Sequence, residues 1–317
     1  MAFLKRIQNS WRLMKSSLSV MVDHPKLMVF PAVITACTLG ILLFFLAPVA
    51  LQPTGHGYTE GAHWKAVSES VFTRESMDRM AAAKPEERRN QQLSLTPQAM
   101  VYLAVIYFAS MFLATFFTTA FYHEIISALQ GGGVSVTGGL RFALTKLPAI
   151  LMWSLFAGAI GYLIKSLEER VGLVGKWILR FIGVAWSVAS VFAIPVLVME
   201  EEKNPVAILK RSAETLKKTW GESLAGFVGL QFGGFIVIFS TIGLYTAGII
   251  AASYFKMPLL ILATTGLWVA GLFAFFYTMG VANSIYRCAL YVFAARGTLA
   301  GPFDREAMDL AWKMKKS

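Results

Sequence analysis

Residues 27–51 read LMVFPAVITACTLGILLFFLAPVAL, and this stretch decides the fold. It carries no charged side chain and can cross a hydrocarbon core of about 30 Å, which takes about 20 helical residues. A polar, basic segment precedes it and no small-residue cleavage site directly follows, so it reads as a retained membrane helix, not a secretory signal peptide. Comparable runs recur at Met100–Ile125, Pro148–Ile164, Phe181–Met199, Leu224–Phe255 and Pro258–Val281. The expected fold is therefore all-α, a polytopic transmembrane helical bundle of about six spans. The third run is short and would rely on Lys165 snorkelling or on local thinning of the bilayer. The fifth is long and glycine-rich and must tilt, bend or extend beyond it.

Composition agrees. Of 317 residues 56% are hydrophobic and 15% charged, outside the usual range of a soluble domain. Cys37 lies in the first run and Cys288 in the apolar stretch after the last, so they make no disulfide framework and say nothing of redox compartment.

Working outward from the spans, the chain reads as one integral membrane domain, 1–317. Within it, 1–26 is a basic amphipathic cytoplasmic helix, 52–97 an extracytoplasmic loop or small helical cap, 203–221 a cytoplasmic interfacial helix and 297–317 a cytoplasmic tail. With the N-terminus inside, 18 of the 29 Lys and Arg fall on the inner side and 11 outside. Six basic residues in 52–97 are balanced by six acidic ones, which leaves little barrier to translocating that loop. Both termini are expected to be cytoplasmic.

An internal repeat organises the spans. Phe3, Ile7, Trp11, Met14, Leu18 and Met21 recur at helical spacing, with Lys5, Arg6, Arg12 and Lys15 between them. Val136, Leu140, Leu144 and Leu147, beside Arg141 and Lys146, repeat the pattern before the third run. Val206, Leu209, Ala213, Leu216 and Trp220, with Lys210, Arg211, Lys217 and Lys218, repeat it before the fifth. Asn204 and Pro205 supply the cap and first turn of this last helix, and Glu214 reaches Lys218 at i,i+4. The spans thus form three units, each an interfacial amphipathic helix followed by a membrane hairpin. Basic helices of this kind lie among headgroups and attract anionic lipid, about 1 kcal/mol per cation near the surface. The net charge of +11 points to anionic membrane lipids as partners rather than nucleic acid, although the same cations could merely enforce topology.

Ala225, Gly229 and Gly233 form a small-residue stripe on the fifth run. Ala157 with Gly161, Gly266 with Ala270 and Gly280 with Ser284 repeat it elsewhere, as helix packing or an oligomer interface requires. Pro195 removes a helical hydrogen bond and marks a kink or hinge in the fourth run. Few polar groups sit at membrane depth: His123 and Glu124, expected to reach water near the inner end of the second run, and Gln231 and Asn283, expected to bond between helices. Ser127 stands where a zinc-protease helix needs its second His. His56, Glu60 and His63 have ligand-like spacing, but Gly55, Gly57 and Gly61 oppose the helix it needs, so no metal or other cofactor is expected. Beyond them, Ser70–Leu95 is helix-compatible with a break at Pro85. The clusters Gly131–Gly133 and Gly138–Gly139 have no preceding strand and no following Gly-Lys-Ser/Thr, so they are not phosphate loops.

Ala193–Glu200, Asn204–Pro205, Arg211–Ser212 and Leu216–Glu222, together with Ala289–Gly297 and Phe303–Asp304, resemble a prokaryotic family of six-helix membrane proteins of unknown function. The likeness includes the Trp11 helix and His24–Pro25 and is weak in 52–97. That family looks distantly similar to the membrane domain beside glycerophosphodiester phosphodiesterases, whose soluble catalytic barrel has no counterpart here. The resemblance implies a fold and a bacterial-type inner membrane and carries over no catalytic residue. The expected function is lipid-interacting, scaffold or regulatory, with a protein partner or homo-oligomer allowed. A small-solute or lipid transporter is the alternative. An enzyme comes last, because no catalytic constellation assembles.

Overall fold

The computed structural model describes residues 2–84, 93–219, 223–298, 301–305 and 308, and within them all side chains except those at 2–10, 169, 173, 218–219, 223–237 and 258. The expected roles of Lys5, Arg6, Lys218, Ala225, Gly229, Gly233 and Gln231 rest on side chains outside this set.

The chain is an all-helical membrane bundle. Five segments among the described residues are long and apolar enough to cross a membrane: Pro25–Ala50, Pro97–Leu129, Leu147–Glu168, Val174–Met199 and Leu259–Arg296. In chain order the helices are α1 (Ala2–Asp23), α2 (Val29–Ala50), α3 (Gly61–Val71), α4 (Arg74–Ala82), α5 (Pro97–Leu129), α6 (Val136–Thr145), α7 (Leu147–Arg170), α8 (Leu173–Ala189), α9 (Ala193–Met199), α10 (Pro205–Thr219), α11 (Ser223–Tyr254) and α12 (Pro258–Arg296). A 3-10 turn, Pro25–Met28, leads into α2. The expected fifth span coincides with α11, a helix of 32 residues, of which the described apolar part, Ile238–Tyr254, is shorter than a span.

Several boundaries differ from the sequence reading. The third span is not short: α7 has 24 residues, because its polar end at Lys165–Arg170 stays helical. The last span does not stop at Val281: α12 runs 39 residues to Arg296, so Cys288 lies inside it and is buried. In the loop after α2, helix begins at Gly61 and breaks between Val71 and Arg74, where Phe72 pairs with Leu95 as an isolated antiparallel bridge. The α3 helix docks through His63, whose Nε2–H donates to the Ala50 carbonyl at 2.9 Å while Nδ1 accepts from the Thr54 hydroxyl at 2.7 Å. Both ring nitrogens are thereby occupied, satisfying an orphan carbonyl at the α2 terminus.

Pro195 follows the break in the fourth span by one turn. It has no N–H for the Val191 carbonyl one turn back, and the span breaks at that level, between Ala189 and Ala193, as a proline kink does.

Two spans separate α1 from α6 and two separate α6 from α10, so all three amphipathic helices lie at the same end of the bundle, here called the basic end. Which faces turn inward differs from the hydrophobic pattern. In α1 the buried positions are Leu13, Met14, Ser17, Val20 and Met21, while Trp11 is 70% exposed. In α6 they are Gly139 and Ala143, with Leu144 exposed; in α10 they are Ile208, Ser212, Thr215 and Leu216, with Val206 exposed. Each buried face includes a small or hydroxyl residue, which hydropathy scores as neutral. The apolar side chains left outside suit acyl chains, whose solvent is as apolar as a core.

The packed core also sits at the basic end. It joins Phe121–Leu129, Ala149–Trp153, Phe192–Val198 and Val281–Val292, with Trp153 and Trp186 stacked at 6.2 Å. Toward the opposite end, Leu43, Phe44, Met100, Val101, Leu259, Leu262, Leu267 and Phe273 are exposed, as lipid-facing side chains are. Contacts there are sparser: the Tyr102 hydroxyl donates to the Phe45 carbonyl at 2.6 Å and Tyr107 to Gly158 at 3.2 Å. A Cβ on Gly158 would meet Phe108 at 2.9 Å and one on Gly161 the Tyr107 oxygen at 2.9 Å, whereas Gly266 and Gly280 face open space. The small-residue packing therefore operates on α7 and not at those two positions of α12.

Candidate functional site

At the basic end, α5 stops at Leu129 because Gly131 takes a left-handed conformation, φ 81°. The N–H groups of Gln130 and Gly132 then cap carbonyls of the last turn, Gly132 to Ser127 at 2.8 Å. The short connection returns to α6, which crosses α5 closely: a Cβ on Gly139 would lie 2.8 Å from the Ala120 carbonyl and 2.8 Å from Glu124 Cγ. Gly139 thus serves helix approach and no phosphate loop is involved.

Glu124 does not reach water. Its side chain is 4% exposed, and Oε2 accepts the Ser135 N–H at 2.6 Å. Ser135 is the N-cap of α6, its hydroxyl accepting from Gly138 N–H at 3.1 Å. A carboxylate beside a helix N-terminus meets the positive end of the helix dipole, so Glu124 anchors α6. His123, half-buried, stacks on Phe142 with centroids 3.8 Å apart and planes 9° from parallel; its Nε2 is 4.0 Å from Glu124 Oε1.

Beside this pair opens a cleft of about 440 Å³, lined by His123, Ile126, Ser127, Gln130, Gly132, Phe142, Val198, Met199 and Arg296. Its size is that of a small-ligand site, about 300–1,000 Å³. Of the candidate site residues proposed from the sequence, only His123 lines it.

A second cluster lies next along the chain. Glu200 follows α9; its Oε1 accepts from Arg211 Nε at 3.0 Å and from the Tyr291 hydroxyl at 2.8 Å. Its backbone carbonyl accepts from Lys146 Nζ at 2.8 Å. One residue thus ties together α10, α12 and the α6–α7 corner. The Glu200 hydrogen bond, and then its charge, raise the Arg211 pKa further above its usual value.

These contacts thin the set of cations free for lipid. Arg12 pairs with Asp304 at 2.6 Å, Arg211 with Glu200, and Lys210 with Glu214 at 4.0 Å, so Glu214 reaches back one turn. Lys146 is held by the Glu200 carbonyl. Lys15, Arg141 and Lys217 are exposed and make no ion pair with the described residues. Asn283, expected to bond between helices, makes no side-chain hydrogen bond with the described residues.

Arg287 is a residue that the sequence reading does not single out. It lies inside α12, where its guanidinium Nη1 donates to the Tyr122 hydroxyl at 3.3 Å and its buried Nε has no partner among the described residues. Continuation of the apolar pattern past Val281 was the signal that places it in a span. No sequence signal marks Gln130 or Arg296 as cleft residues, because helix ends are brought together only by folding.

A family model matches residues 98–301, described as a family of unknown function (DUF6159). The chain belongs to this family. The DUF6159 match runs from the first turn of α5 to the start of the tail and so includes every residue lining the cleft and the whole Glu200 cluster. No curated protein and no solved structure matches the chain. The distant similarity to the membrane domain of glycerophosphodiester phosphodiesterases finds no support in these comparisons.

Proposed function

We propose that this DUF6159 protein is a lipid-interacting or scaffold protein of a bacterial inner membrane. Both termini are cytoplasmic, and the face built by α1, α6 and α10 engages anionic lipid without catalysis. The observation that carries the reading is that Lys15, Arg141 and Lys217, one from each amphipathic helix, are exposed at the same end and free of ion pairs with the described residues. The other described cations on these helices serve internal contacts, so three charges, about 1 kcal/mol each, support enrichment of anionic lipid rather than tight capture. A homo-oligomer or protein partner is compatible with this surface.

The test is lipid analysis of the protein extracted in native nanodiscs. Wild type carries more anionic lipid than the surrounding membrane, and the variant with Lys15→Gln, Arg141→Gln and Lys217→Gln loses that excess. Equal lipid composition in both would sink the reading. Reporter fusions to the 52–60 segment and to the C-terminus check orientation.

One observation favours a transporter as the second reading. The fourth span is discontinuous between α8 and α9, as are helices that bind substrates at membrane depth in transporters. Substrate-dependent counterflow in proteoliposomes would promote it.

A further inference from the structure

The cleft has a polarity that a simple anion site would lack. Its walls come from the last turns of two long helices: Ile126 and Ser127 of α5, and Arg296 of α12, with Val198 and Met199 from the end of the fourth span. Helix C-termini are the negative ends of their dipoles, roughly half an elementary charge each before capping. The lining side chains add acceptors: the Ser127 hydroxyl, which donates to the Gly133 carbonyl at 3.2 Å and keeps lone pairs free, the Gln130 amide and the His123 ring. Glu124 Oε1 lies 4.0 Å from the Nε2 of that ring. Against these stands one exposed guanidinium, Arg296, with no ion pair among the described residues. The lining therefore offers acceptors to a cation bearing N–H donors and an arginine fork to an oxyanion.

We propose that this cleft binds a phosphodiester headgroup that carries a primary ammonium, as ethanolamine phospholipids do. Arg296 takes the phosphate, while the Ser127 hydroxyl and the Gln130 amide oxygen take the ammonium. Val198, Met199, Ile126 and Phe142 cover the carbon skeleton. A quaternary choline has no N–H to give these acceptors, and an anionic glycerol headgroup would bring a negative charge toward two helix C-termini without an ammonium. The position at the ends of membrane spans puts the cleft at headgroup level. The inference rests on the lipid-engaging reading above but uses none of its three surface cations.

The test is native mass spectrometry of the full chain released from nanodiscs of equal ethanolamine, glycerol and choline phospholipids with identical acyl chains. One ethanolamine lipid per chain should survive release, and Arg296→Gln should weaken its retention tenfold or more, the scale of one lost charged hydrogen bond. Ser127→Ala should weaken it less, while the Lys15/Arg141/Lys217 triple variant should keep it. Competition by soluble glycerophosphoethanolamine as strong as by the lipid would assign the site to a free phosphodiester; weak competition assigns it to the lipid. Retention of the glycerol lipid instead, equal retention of all three, or indifference to Arg296→Gln would each overturn the proposal. Loss of anionic enrichment in the triple variant, with no retained lipid in wild type, would reject this site and leave the surface reading standing.

Discussion

Ser212 closes the gap that Phe192 opens in the fourth span. Between α8 and α9 the Phe192 N–H has left the helical ladder, and the Ser212 hydroxyl of α10 accepts it at 3.0 Å while donating to the Ala189 carbonyl at 2.6 Å. Ser212 and Phe192 are both fully buried. Where water is scarce a broken helix needs such a substitute partner.

Ser212→Ala should therefore destabilise the protein by about 1–3 kcal/mol for each backbone group left unsatisfied. Reversible unfolding in mixed micelles measures this. A shift under about 0.5 kcal/mol, the usual range for a surface substitution, would mean that the break is held by something other than this hydroxyl.

Gly139 and Gly280 should respond oppositely to the same added methyl group. At Gly139 it would press on the Ala120 carbonyl and Glu124, whereas Gly280 faces open space. Gly139→Ala should destabilise by about 1–3 kcal/mol through overpacking. Gly280→Ala should be neutral or stabilising by up to about 1 kcal/mol, since alanine is the better helix former. Similar thermal shifts for both in one detergent would contradict the close crossing of α5 and α6.

At Glu200 the two partners should contribute unequally. The Arg211 pair is partly solvated, with side-chain exposures of 46% and 31%, and such pairs contribute about 0–1 kcal/mol. The hydroxyl of Tyr291, a buried residue, donates to a charged group, about 1.5–3 kcal/mol. Tyr291→Phe should thus lower stability more than Arg211→Met, and a double-mutant cycle with Glu200→Gln should assign the larger coupling to Tyr291.

The tail should be held by its apolar anchor and not by its ion pair. Arg12 and Asp304 are 52% and 47% exposed, while Phe303 is buried. Limited proteolysis near residue 301 should be little changed by Asp304→Asn or by added salt. Phe303→Ala, which deletes a buried ring worth about 3–5 kcal/mol in a well-packed site, should expose the tail. The reverse ranking would make the ion pair the latch.

The stretches that carried the family resemblance meet in space. Glu200, Arg211 and Tyr291 come from three of them and form one cluster; Ser212 bridges the break beside Phe192; Asp304 pairs with Arg12. Their spacing in sequence says nothing of this, because they sit on different helices joined by long spans.

What the sequence by itself determined is the solvent and the elements. Uncharged runs such as 27–51 have no stable place except a membrane, and there only helices satisfy their own backbone. Basic residues at helical spacing marked α1, α6 and α10 in the same way. Tertiary structure decided everything that depends on which side chains meet. In a bilayer an outward Trp11 or Val206 is as well solvated as a buried Met14 or Ile208, so hydropathy cannot tell lipid-facing from core-facing positions. The inward faces were set by shape and hydrogen bonding: Gly139 for close approach, Ser212 for a broken ladder, Glu124 for a helix start. The cleft is made by three helix ends that only packing brings together.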